Sequence, residues 1–222
     1  MKGVCLAILL LASTQWLSGQ ITFDFFASGS GTIGAGADLD GLSAGTSSVG
    51  GVILTAEAFQ NGVSAGTVFN GTGSSFGINA LGSDDTDEFD NDLGAGNADV
   101  MQFSFNTGGT FESIDLRGIT SNASNAEAIL SFTGGGSFDL FGGSPNESNG
   151  TSDIYTISET FASNQLITLT VSGSAPSNTS FGLDGFTIST SAIPEPSTYA
   201  LIFGGIALGL VVWKRRNASV EA

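Results

Sequence analysis

Apolar and polar residues alternate with a period of two along most of this chain. Ile21-Thr22-Phe23-Asp24-Phe25 sets the pattern, and residues 52–56, 101–105, 113–116, 128–132, 154–157, 166–171 and 185–188 repeat it. Successive side chains of a strand point to opposite faces, so such runs predict strands with one face buried. Clusters of Gly, Asn, Asp and Ser separate the runs, as turns require. Eight strands of this kind over residues 21–190 predict an all-β fold, an antiparallel β-sandwich of jelly-roll type. Its expected core is Phe23, Phe25, Phe103, Phe105, Leu116, Leu130, Phe132, Leu169, Val171, Phe186 and Ile188. Residues 28–51 are rich in Gly, Ser, Ala and Thr and lack the alternation, which predicts a long loop or linker. No internal repeat of fixed period is visible.

The pattern changes at both ends. Lys2, the apolar run 4–12 and the more polar run 13–20 read as a secretory signal peptide over residues 1–20, with cleavage bracketed at 18–20. At the other end, residues 199–213 carry no charge and no polar alternation. At 1.5 Å per residue they span about 22 Å as a helix, short of a hydrocarbon core of about 30 Å. Tyr199 and Trp213 suit its two interfaces. Lys214, Arg215 and Arg216 form a membrane stop, expected to stay cytoplasmic together with the tail 217–222. Ahead of the helix stands Pro194-Glu195-Pro196-Ser197-Thr198. The two prolines fix φ, donate no amide hydrogen and push their predecessors toward extended backbone. A processing enzyme could grip such a segment.

Pro194, Glu195, Pro196, Ser197 and Thr198, the short glycine-bearing helix and the Arg215-Arg216 end together resemble the PEP-CTERM sorting signal of exported Gram-negative bacterial proteins. The resemblance covers residues 193–216. It implies a membrane partner, exosortase, that cuts at or near the Pro-Glu-Pro motif. It implies nothing about the chemistry of residues 21–190. A plain permanent anchor and an ordinary buried C-terminal helix are the competing readings of the same tail.

Charge narrows the partners. Between the two end signals lie nineteen of the 21 acids and one of the five bases, Arg117, a balance near −18. Nucleic acid needs a basic footprint that this chain lacks. Surface acidity by itself keeps an exported protein soluble. The chain has no histidine, and its only cysteine, Cys5, sits in the leader. Triads, imidazole catalysis, thiolate chemistry and histidine metal sites are therefore excluded from the exported body. Carboxylate chemistry remains.

The pointed acidic segment is residues 82–92. Asp85, Asp87, Asp90 and Asn91 place oxygens where a Ca²⁺ ion could collect them, although the glycine and glutamate of an EF-hand are missing. A solvated acidic turn is the other reading. No cofactor is required by either.

The expected function is that of a non-catalytic exported protein of the cell surface or extracellular matrix, associated with exopolysaccharide. The alternatives are a permanently anchored glycan-binding protein and a glycoside hydrolase using two carboxylates. Glycan binding has little aromatic support, because Tyr155 is the only tyrosine of the body and both tryptophans lie in the end segments.

Overall fold

Each of the eight alternating runs coincides with a strand to within a residue at its ends, and most of the strands reach further. The computed structural model describes residues 19–25, 34–60, 62–64, 67–71, 76–80, 88–90, 98–119, 127–140, 153–172, 180–190 and 203–210. In chain order these form β1 (Gly19–Asp24), α1 (Ala35–Leu39), β2 (Ala44–Val49), β3 (Val52–Gln60), β4 (Thr67–Asn70), β5 (Gly77–Ala80) and β6 (Phe89–Asp90). Then follow β7 (Asp99–Phe105), β8 (Gly109–Arg117), β9 (Ala128–Phe132), β10 (Ser137–Leu140), β11 (Asp153–Phe161), β12 (Ile167–Val171) and β13 (Ser180–Thr190). Every pairing among them is antiparallel.

One sheet has the order β1-β13-β8-β11, with β6 added to β13. A second has the order β10-β9-β12-β7-β3-β2, and β4-β5 pair separately. The inner faces of the two large sheets meet through phenylalanine. Phe23 of β1 lies 5.5 Å from Phe105 of β7, and Phe186 of β13 stacks on Phe103 of β7 at 5.1 Å. Phe111 of β8 meets Phe132 of β9 edge to face at 5.6 Å. The fold is therefore all-β and sandwich-like. All eleven residues expected in the core are buried. Phe186 touches five other rings, those of Phe23, Phe25, Phe103, Phe105 and Phe111. A buried phenylalanine contributes on the order of 3–5 kcal/mol against alanine, so this cluster dominates the energetics.

The expected loop over 28–51 is corrected by the structure, which describes it from residue 34. Residues 35–39 are helical and 44–49 form β2. Ala35 and Leu39 enter the core, and the Ser47 hydroxyl donates to Asp38 Oδ2 at 2.6 Å. Gly50 and Gly51, both at positive φ, join β2 to β3 in a two-residue turn. Such a turn needs φ > 0 at both central residues, which glycine supplies without strain.

Residues Ser18–Thr190 make up one compact unit. Its first and last strands are neighbours, Gly19 standing opposite Thr190. Outside that unit, residues 203–210 are helical, with Phe203, Ile206, Leu208 and Leu210 exposed. No helix among the described residues is long and apolar enough to cross a membrane.

Candidate functional site

The outer face of the β1-β13-β8-β11 sheet carries a depression of about 470 Å³. Register builds it in rows. Thr22, Thr187 and Ser113 stand side by side on β1, β13 and β8, and the Thr22 and Thr187 hydroxyls bond at 3.1 Å. Two residues along, Asp24, Gly185, Asp115 and Ile154 line up across all four strands. Neighbouring strands lie about 4.8 Å apart, so the Cα atoms of Asp24 and Asp115 are separated by roughly 10 Å, with only a glycine between them. That missing side chain makes the floor. Gly185 is also tight against β1, since a Cβ there would lie 2.9 Å from the Phe23 carbonyl oxygen.

A bulge supplies the third acid. On β13, Leu183 faces Leu116 and Gly185 faces Asp115, so Asp184 is an extra residue with no counterpart on β8. Bulges re-aim side chains in this way. The Asp184 carbonyl accepts from the Phe25 amide at 2.8 Å, which locks the bulge to β1. Its side chain is 6% exposed. Arg117 donates to a single oxygen, Oδ2, through both Nε at 3.1 Å and Nη2 at 2.9 Å. Oδ1 is buried and receives no hydrogen bond. Burial outweighs the arginine and, helped by the charges of Asp115 and Asp24, pushes Asp184 up to about 6 from 3.8.

Arg117 was notable in the sequence as the lone base of the body, and its structural role is to hold this acid. Nothing in the sequence marked Asp24, Asp115 and Asp184 as neighbours, because they are brought together by strand register and a bulge. The Leu183-Asp184-Gly185 triplet breaks the period of two, and that break was the available signal.

The sites expected from the sequence fall elsewhere. Asp85, Asp87 and Asn91 lie outside the described residues. Asp90 is buried in β6, opposite Ser180, and its amide donates to Asp99 Oδ2 at 3.0 Å. Asp99 Oδ1 accepts from Gln60 Nε2 at 3.1 Å. The end of the acidic segment at Asp90 is thus tied to the start of β7. Among the described residues no three acids converge as metal ligands. Pro194, Glu195, Pro196, Ser197, Thr198, Lys214, Arg215 and Arg216 also lie outside the described residues. Of the expected span 199–213, only 203–210 is described. Tyr155, the one tyrosine available for sugar stacking, is 8% exposed on the inner side of β11.

No family model, no curated protein and no solved structure matches this chain.

Proposed function

We propose that this chain is a non-catalytic exported protein, delivered to the cell surface or extracellular matrix through a C-terminal PEP-CTERM-type signal and associated there with exopolysaccharide. The observation that carries the reading is the tripartite order of residues 193–216, placed behind an acidic body and opposite a secretory leader. Support comes from the compact unit Ser18–Thr190, whose limits fall within about three residues of where the leader was expected to end and the sorting segment to begin. An exported body must fold without its end signals, and a unit with its own phenylalanine core suits that need. We assign the sandwich to the jelly-roll type. In favour, β1 and β13 are antiparallel neighbours, and from β7 to β9 and from β10 to β13 the chain passes repeatedly between the two sheets.

Intact-mass analysis of the envelope and secreted fractions tests the sorting step. The expected product ends near residue 195, and replacing Pro194 and Pro196 with alanine leaves the precursor uncut. A mature protein that retains Trp213 in wild-type cells would instead make the tail a permanent anchor. A second reading, glycoside hydrolysis by two carboxylates, draws on Asp115 and Asp184 lining one depression. It is distinguished by whether an oligosaccharide is cut.

A further inference from the structure

The outer strands of the two large sheets are β1, β11, β10 and β2. An outer strand presents a row of backbone amides and carbonyls to whatever lies beside it, and proteins guard such edges with charge, a bulge or a short strand. β1 carries Asp24, and β10 has four residues and carries Asp139. β11 is bulged between Thr156 and Glu159, with Ser158 at positive φ. β2 has none of these guards. It reads Ala-Gly-Thr-Ser-Ser-Val over six residues, without charge or proline. Its register with β3 runs unbroken from Ala44–Glu57 to Val49–Val52.

Parity decides which backbone groups of β2 point outward. The two-residue turn at Gly50-Gly51 makes Val49 and Val52 a hydrogen-bonded pair, so Ser47 and Gly45 bond to β3 as well. The Ala58 amide donates to the Ser43 carbonyl at 2.8 Å, which continues the same alternation. Ala44, Thr46 and Ser48 therefore aim their N–H and C=O groups away from β3. Among the described residues nothing pairs with them, and all three are exposed.

We propose that β2 is the contact surface for a second copy of this chain, the two β2 strands pairing antiparallel about a two-fold axis at Thr46. Thr46 then faces Thr46 of the other copy, and Ala44 faces Ser48, each pair exchanging two backbone hydrogen bonds. Two six-stranded sheets become one continuous sheet. An isologous contact needs a patch that complements itself, and Thr46 has small, uncharged residues on both sides. The axis also exchanges the ends of the strand. Exposed Leu42, ahead of one β2, comes toward partly buried Val49 at the end of the other. Leu42 lies on the inner side of the edge, where a Cβ on Gly45 would meet it at 3.0 Å. A basic peptide would find no acid on β2 to single it out. Two bodies near −18 repel each other, and salt at about 0.15 M screens that repulsion beyond about 8 Å.

The test is sedimentation equilibrium of the full chain in a density-matched detergent at about 0.15 M salt. A reversible dimer is expected at protein concentrations on the order of 10 μM. Thr46→Pro removes the outward amide without touching a β2–β3 bond, and is expected to weaken the dimer at least about tenfold. Thr46→Glu keeps the backbone and sets like charges opposite each other at the axis, with a severalfold loss expected. Thr55→Glu puts the same charge on β3, opposite Thr46 and one strand in from the edge, and is expected to change the constant less than about twofold. Under mild oxidation Thr46→Cys is expected to crosslink into a dimer, because its two Cα atoms would lie about 5.5 Å apart. Ser48→Cys is expected not to, because its two copies would lie about 14 Å apart along the pair. The wild-type chain, whose only cysteine is Cys5, sets the baseline. A monomer up to about 0.1 mM protein would overturn the proposal. So would a dimer as strong in both Thr46 variants as in Thr55→Glu, which would place the association elsewhere on the chain, the C-terminal helix included. Equal crosslinking of the two cysteine variants would overturn it as well. The outcome is independent of where the chain is exported, which the mass analysis decides separately.

Discussion

Asp184 is where residue chemistry and fold meet. Alone it would titrate near 3.8, but the bulge buries it and raises it to about 6. The groups facing it are Arg117 and Asp115 from β8 and Asp24 from β1. Between the two values the folded protein holds a proton that the unfolded chain has released. Stability therefore falls as pH rises across that window, by on the order of 2–3 kcal/mol once the pH exceeds 6. Asp184→Asn removes the titration while keeping an oxygen for Arg117. The variant is expected to gain stability relative to wild type as pH is raised from about 4 to about 7, read as the difference in urea midpoints. A difference that stays flat over that range would mean that Asp184 is not held in its protonated form.

At the scale of elements, β13 organises the larger part of the molecule, since it pairs with β1, β8 and β6. Its register with β8 is kept by close approach at Gly109. A Cβ there would be driven into the Ser189 carbonyl oxygen, and that oxygen is backbone, which cannot turn aside. Gly19, at the start of β1, has open space around it. Gly109→Ala is therefore expected to destabilise the body by about 1–3 kcal/mol, and Gly19→Ala to stay within about 0.5 kcal/mol of wild type. Thermal unfolding of the two variants side by side checks this. A loss of similar size in both would assign the effect to glycine content in strands in general.

At the scale of the whole molecule, charge sets the terms. A body with nineteen acids and one arginine repels itself, and its melting temperature is expected to rise by several degrees as ionic strength goes from about 0.01 to about 0.15 M. Calcium at matched ionic strength then reads the acidic segment of Asp85, Asp87, Asp90 and Asn91. A further rise that chelator reverses is the signature of a bound ion, and no further rise marks a solvated turn. A melting temperature insensitive to salt would show that the acids are too widely spread to repel.

By itself, the sequence determined the β class, the eight principal strands and the eleven core positions named from it. Period-two alternation is a local property, and burying one face is the same requirement in any sandwich. Tertiary structure decided what had no local pattern. β2 reads Ala-Gly-Thr-Ser-Ser-Val and is a strand because β3 offers it a hydrogen-bonding edge. α1 is barely more than one turn, fixed by Leu39 in the core and not by any helical period. The site is the clearest case. Asp24, Asp115 and Asp184 are far apart in the chain, and only antiparallel register and one extra residue in β13 bring them around Gly185.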